Sequence, residues 1–155
     1  MNKLAIFGLV FIGTICSCTN SKELSSTQSE NFENVEFTEE RRLNHTINLA
    51  EITIINTLAD LTELYGNLQD PDLPRSAPIP PFDEKNEFIL VLKPEMNANT
   101  FKDIEIENVQ KSGNQLIVNY REVENAEYAE NKWNDPIVIL KVTGKESEIQ
   151  INKIN

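Results

Sequence analysis

"EFILVL", residues 87–92, and "PIVILKV", residues 136–142, decide the fold. Neither run alternates polar with apolar positions. A strand solvated on one face reads as an alternation, whereas a strand buried on both faces reads as a continuous apolar run. Both stretches are therefore expected as inner strands. The sequence between and after them is patterned differently. In "FKDIEIENV" (101–109), Ile104 and Ile106 alternate with Asp103, Glu105 and Glu107, which predicts a half-exposed strand. "KSGN" (111–114) is a turn, with Gly113 where a positive φ is expected, and "QLIVNYREVE" (115–124) is the second strand of that hairpin. "TGKE" (143–146) is another turn and "SEIQINKI" (147–154) an alternating last strand.

Upstream of the first buried run, "EITIINT" (51–57) is rich in β-branched residues and predicts a strand. Thr57 then reads as a helix N-cap, with Asp60 as its reciprocal partner. Leu58, Leu61, Leu64, Tyr65 and Leu68 share one helical face, so a short helix is expected over 58–68. "EFTEERRLNHTIN" (36–48) supports two readings, because "HTINL" is β-like while "TEERRL" suits a helix. A single long helix over 39–68 is the less favoured alternative, given the Ile and Thr run. "QDPDLPRSAPIPPFDE" (69–84) holds five prolines, which delete backbone donors and fix φ, and reads as an extended connector. "KPEMNANT" (93–100) and the acidic "NAEYAENKWNDP" (125–136) read as loops. The expected class is α+β, mostly β. An antiparallel sheet of six or seven strands curls into a small barrel or sandwich, with one short helix on a side or end.

The N-terminus speaks to location. "MNKLAIFGLVFIGTICS" (1–17) begins with Lys3, continues through an uncharged apolar run and closes on small residues, the layout of a secretory signal peptide. The run is shorter than the roughly 20 apolar residues of a spanning helix. "ICSC" (15–18) resembles the bacterial lipobox, with Ile15 three before and Ser17 directly before Cys18. Cys16 fits less well, since Ile15 would stand at its small position. The resemblance implies that Cys18 takes a diacylglyceryl group and becomes the mature N-terminus, while Cys16 leaves with the leader. Residues 18–35 are polar and read as a disordered tether from lipid to domain, and residues 36–155 as a single domain. The expected location is the bacterial cell envelope, lipid-anchored at the outer membrane or cell surface.

Removal of residues 1–17 takes away Lys3 and no acid, so the formal charge goes from −11 to −12. So acidic a chain repels phosphate backbones and anionic lipid heads, which argues against nucleic-acid binding and leaves the lipid on Cys18 as the contact with the membrane. A structural metal site needs about four ligands, and the one histidine, His45, does not complete one with the cysteine pair. No metal or cofactor is expected. His45 would also have to serve any Ser-His-Asp or Cys-His site, yet no "GxSxG" frames a serine, so a surface or strand-edge role is expected for it. Glu122, Glu124, Glu127 and Glu130 form the densest acid cluster. Two carboxylates in unlike environments run glycoside hydrolysis, and converging oxygens bind calcium. A solvated acidic loop is the plainer account. Tyr128 and Trp133, aromatics within that polar loop, either pin it to the sheet or offer it to a protein partner.

From Ile52 onward the order of elements resembles the PrcB-like C-terminal domain family, named for an accessory subunit of a bacterial surface protease complex. The resemblance is carried by "EITIINTLADLTELYGNL", "PIPPFDE", "FILVL", "FKDIEIENVQKSGNQLIVNYRE" and "DPIVILKV". It covers about two-thirds of the chain. The family's Thr-Gly-Gly-Tyr type of turn is replaced here by Asn99, Thr100 and Phe101, with both glycines gone. The resemblance implies a lipid-anchored accessory protein without catalytic residues that binds another envelope protein, an exported protease among the candidates. Tyr128, Trp133, Asn99, Thr100 and Phe101 are the expected partner-binding residues. Two alternatives stay open: a protease inhibitor presenting the proline-rich loop 71–82, and an acidic hydrolase using Glu122 and Glu124.

Overall fold

The computed structural model describes residues 31–69, 77–96, 101–131, 134–145 and 148–155. Within them the chain runs β1 (Glu33–Asn34), β2 (Phe37–Asn44), β3 (Ile52–Ile55), α1 (Leu58–Asn67), β4 (Glu87–Leu92), β5 (Lys102–Ser112), β6 (Gln115–Glu124), α2 (Ala126–Asn131), β7 (Pro136–Thr143) and β8 (Glu148–Lys153). The class is mostly β, as expected. The strands form two four-stranded sheets, β1-β5-β6-β8 and β2-β7-β4-β3.

The continuous apolar runs are explained by layering. On β4 and β7, Phe88, Leu90, Leu92, Val138, Leu140 and Val142 face the other sheet, where Ile104, Val109, Leu116, Val118 and Tyr120 meet them. The alternate residues Ile89, Val91, Ile137 and Ile139 face the opposite way, onto Leu61, Leu64, Tyr65 and Leu68 of the helical side. Both inner strands are thus buried on two faces, because one face meets a sheet and the other a helix. Thr57 caps α1 as expected: its hydroxyl accepts the Asp60 N–H at 3.1 Å and sits 2.7 Å from the Asp60 carboxylate. Gly113 turns the β5–β6 hairpin at φ 60°.

Four expectations are corrected. In the ambiguous 36–48 segment, Phe37–Asn44, which includes the helix-like "TEERRL", is a strand antiparallel to β7 with an irregularity between Glu39 and Arg41, whereas the β-like "HTINL" is not in a strand. Residues 33–35, expected in the tether, belong to the fold: β1 pairs with β5, and the Val35 N–H donates to the Val109 carbonyl at 2.8 Å. Residues 126–131, expected as loop, form a second short helix. The last strand pairs with β6 in parallel, not antiparallel. The chain leaves β7 in one sheet and enters β8 in the other, so the turn after β7 does not close a hairpin.

Residues 33–44 pass from the edge of one sheet to the edge of the other in a single run. Glu36, between β1 and β2, accepts the Thr143 N–H through its carbonyl at 3.0 Å. This strand joins the two sheets along one side.

Candidate functional site

A cleft opens beside that join. It has a volume of about 650 Å³ and is lined by Arg42, Leu43 and Asn44 of β2, Asp103 of β5, and Asn125, Glu127 and Tyr128 at α2. Arg42 reaches across from β2. Its Nη1 lies 3.1 Å from Asp103 Oδ1 and also donates to the Ile104 carbonyl. Its Nε and Nη2 donate to the two carboxylate oxygens of Glu39 at 2.8 and 2.7 Å. Asp103 is 5 % exposed, although its alternation with Glu105 places it on the outer face of β5. It is buried because α2 packs over the start of β5.

Helix α2 is set by Asn125, whose side-chain oxygen accepts the N–H groups of Glu127 and Tyr128 at 3.0 and 3.4 Å. The Asn125 N–H in turn donates to the Phe101 carbonyl at 3.3 Å. That geometry turns Tyr128 inward to 6 % exposure. Its hydroxyl donates to Asp103, and burial, followed by the Asp103 charge, pushes the phenol pKa up to about 12. Asp103 also accepts the Ile104 N–H at 2.7 Å. Among the described residues, every buried side-chain polar atom has a hydrogen-bond partner. What the cluster does chemically is therefore cohesion. Its buried acid, Asp103, is engaged by a guanidinium, a phenol and a backbone amide, and its phenol stays protonated across the physiological range.

Of the expected partner-binding residues, Asn99, Thr100 and Trp133 lie outside the described residues. Phe101 is half-buried beside α2, tied to it through Asn125. Tyr128 is corrected: it is a buried side chain of the cleft floor and offers no aromatic surface to a partner. Cys18 and the leader also lie outside the described residues, as does the connector over 70–76. The described part of the connector, 77–82, is extended. Ala77 and Phe82 pack on the helical-side core, and Lys141 Nζ donates to the Pro81 carbonyl at 3.4 Å.

Glu122 and Glu124 part company. Glu122 sits between two ammonium groups, with Lys153 donating to one carboxylate oxygen and Lys102 to the other, the latter at 3.3 Å. Chiefly through Lys153, its pKa is held below the usual carboxylate value. A general acid needs the opposite shift. Glu124 is exposed at the strand end. Among the described residues, no group of three or more His, Cys, Asp or Glu side chains is placed to hold a metal ion, and no helix is long and apolar enough to cross a membrane. His45 lies just past β2, its backbone N–H on the Asp135 carbonyl at 3.0 Å.

Arg42, Asp103 and Asn125 were not singled out as site residues by the sequence. Asp103 sits in a regular polar–apolar alternation, and only the overlying helix distinguishes it from Glu105. Comparison with protein families, with curated proteins and with solved structures finds no match for this chain.

Proposed function

We propose that this chain is a lipid-anchored, non-enzymatic protein of the bacterial cell envelope that binds another envelope protein as an accessory or stabilising module. The observation that carries the reading is the mutual engagement of Arg42, Asp103 and Tyr128 in the cleft. Arg42, Asp103 and Tyr128 spend their hydrogen-bonding capacity on joining the two sheets and α2. Such a site supplies rigidity to a surface rather than a proton or a nucleophile to a reaction. The lipobox-like "ICSC" and the acidic surplus support attachment through Cys18 and partners that are proteins rather than nucleic acid.

Chemical crosslinking on intact cells, followed by detergent extraction and identification of the crosslinked species, tests the reading. One envelope protein is expected to be recovered reproducibly with the wild-type chain. Cys18→Ser is expected to leave the membrane fraction, whereas Cys16→Ser stays in it. A hydrolytic activity of the purified chain that Glu122→Gln abolishes would overturn the non-enzymatic reading.

A further inference from the structure

Two sheets have four edges, and two of these belong to one run of chain. The run 33–44 is the edge strand of both sheets, pairing with β5 as β1 and with β7 as β2. Among the described residues, the other two edges are β3 and β8. Strand directions around the fold follow from the pairings. β3 is antiparallel to β4, β4 to β7, β7 to β2, β1 to β5, and β5 to β6, while β8 is parallel to β6. β3 and β8 therefore run in opposite directions on either side of an open seam. The start of β3 and the end of β8 therefore lie at the same end of the seam, the end at which Glu51 and Lys153 stand.

The seam is furnished for one more strand. Glu51 accepts the Lys93 N–H through its carbonyl, and Ile52 is paired with Leu92. Antiparallel pairs alternate between bonded and non-bonded, so the N–H and C=O groups of Ile52 and Ile54 point away from β4, into the seam. On β8, the Glu148 and Ile154 N–H groups point to β6, so those of Ile149 and Ile151 point into the seam. The same four residues are the apolar ones. Ile52, Ile149 and Ile151 are half-buried against the core between the sheets, and Ile54, laterally paired with Leu90, is 38 % exposed. Edge strands are ordinarily protected by a charge, a proline or a bulge. β3 is "ITII" and has none of these.

We infer that this seam captures an extended segment of a partner protein, which adds as a strand between β3 and β8 and completes the wall of the fold. The inference rests on the protein-binding reading above and names its surface. Main-chain hydrogen bonds on two sides would hold the segment, and alternate apolar side chains would fill the space over Ile52, Ile54, Ile149 and Ile151. The ends of the seam carry Glu51 and Glu148, and the Lys153 ammonium beside Glu51 is already taken by Glu122, within a chain of formal charge −11, so the fitting segment is apolar at alternate positions and basic at its ends. The chain's own N-terminal segment is a poor occupant. It is polar and acidic, and it joins the fold at β1, on the opposite side.

The probe is a blocked peptide, Lys-Val-Thr-Val-Thr-Val-Lys, added to the mature chain while amide hydrogen exchange is followed. Exchange at Ile52, Ile54, Ile149 and Ile151 is expected to slow at least tenfold. A Glu-ended version of the peptide is expected to bind at least fivefold more weakly. Ile54→Pro removes an N–H that β4 does not use, and Ile54→Lys keeps that N–H but charges the wall. Each is expected to lower affinity at least tenfold with the folded state retained by circular dichroism. Unchanged exchange at those four amides overturns the inference, as does unchanged affinity in both variants. Self-association of the wild type that Ile54→Pro abolishes would also overturn it, since the occupant would then be a second copy. Persistence of the cellular crosslink in Ile54→Pro, together with no peptide binding, would reject the seam while leaving the protein-binding reading intact. Absence of any wild-type crosslink would reject that reading itself.

Discussion

Arg42→Met tests whether the guanidinium is what fastens the two sheets together at the cleft. Met keeps most of the side-chain volume and removes the donors. Three losses follow. The Glu39 pair is exposed, and such pairs are worth about 0.5 kcal/mol. The Ile104 carbonyl loses a donor, at about 1 kcal/mol. Asp103 loses its counter-ion while 5 % exposed, a change that costs about 3–5 kcal/mol when nothing else compensates the charge. Here the Tyr128 hydroxyl and the Ile104 N–H remain, so we take about 1.5 kcal/mol, below that range. The sum is about 3 kcal/mol. For a domain of this size it corresponds to a fall in Tm of about 12 °C. Urea unfolding with an unchanged m-value is the assay. The decisive measurement is the double variant. Asp103→Asn in the Arg42→Met background removes the stranded charge, so the double variant should be more stable than Arg42→Met alone. A cost below about 1 kcal/mol for Arg42→Met, or full additivity of the two changes, would refute the idea that Arg42 and Asp103 form the join.

A chain beginning at Asn31 should melt with the full mature protein, while one beginning at Glu36 should lose about 2 kcal/mol, from Val35 burial and the backbone bonds to β5; calorimetry of the two truncations checks this. All three tyrosines, Tyr65, Tyr120 and Tyr128, are raised above the ordinary phenol value, primarily by burial. Absorbance at the tyrosinate band should therefore stay flat through pH 10, and stability should fall as pH rises from there toward about 12, with part of that fall absent in Tyr128→Phe. Glu122 behaves in the opposite sense: its lowered pKa, due first to Lys153, adds stability above the ordinary carboxylate pKa that is lost as pH falls through the folded value. Glu122→Gln should be less stable near neutrality and show a shallower loss in acid, as read by thermal melts from pH 7 down to pH 3.

Where a strand's burial is decided by its own neighbours along the chain, the sequence was legible. β4 and β7 lack alternation because two layers cover them, and that is visible residue by residue. β6 runs over 115–124, and α1 begins after Thr57, both as expected. Legibility failed where a remote element decides. "TEERRL" suits a helix by composition, but its pairing with β7, almost a hundred residues on, makes it a strand. Asp103 carries the same local signal as Glu105 and differs only in lying under α2. The direction of β8 depends on which sheet receives it, and no periodicity encodes that. Tyr128 was read as a choice between pinning and presenting, and the Asn125 cap that turns it inward decides for pinning.

The position of β7 has a consequence for the order in which the protein is built. β7 lies between β2 and β4, so the middle of its sheet is missing until residues 136–143 have been synthesised. Before then β4 exposes a run that is apolar on both sides, and β2 has no strand to pair with in its sheet. The β5–β6 hairpin can already form, but the β2-β7-β4-β3 sheet cannot close, since the contacts of β7 with β4 and β2 span some fifty residues or more and close slowly. That sheet forms only once residues 136–143 are available. If residues 1–17 serve as the proposed leader, that delay would keep the chain threadable during export, with the β2-β7-β4-β3 sheet completed on the far side of the membrane.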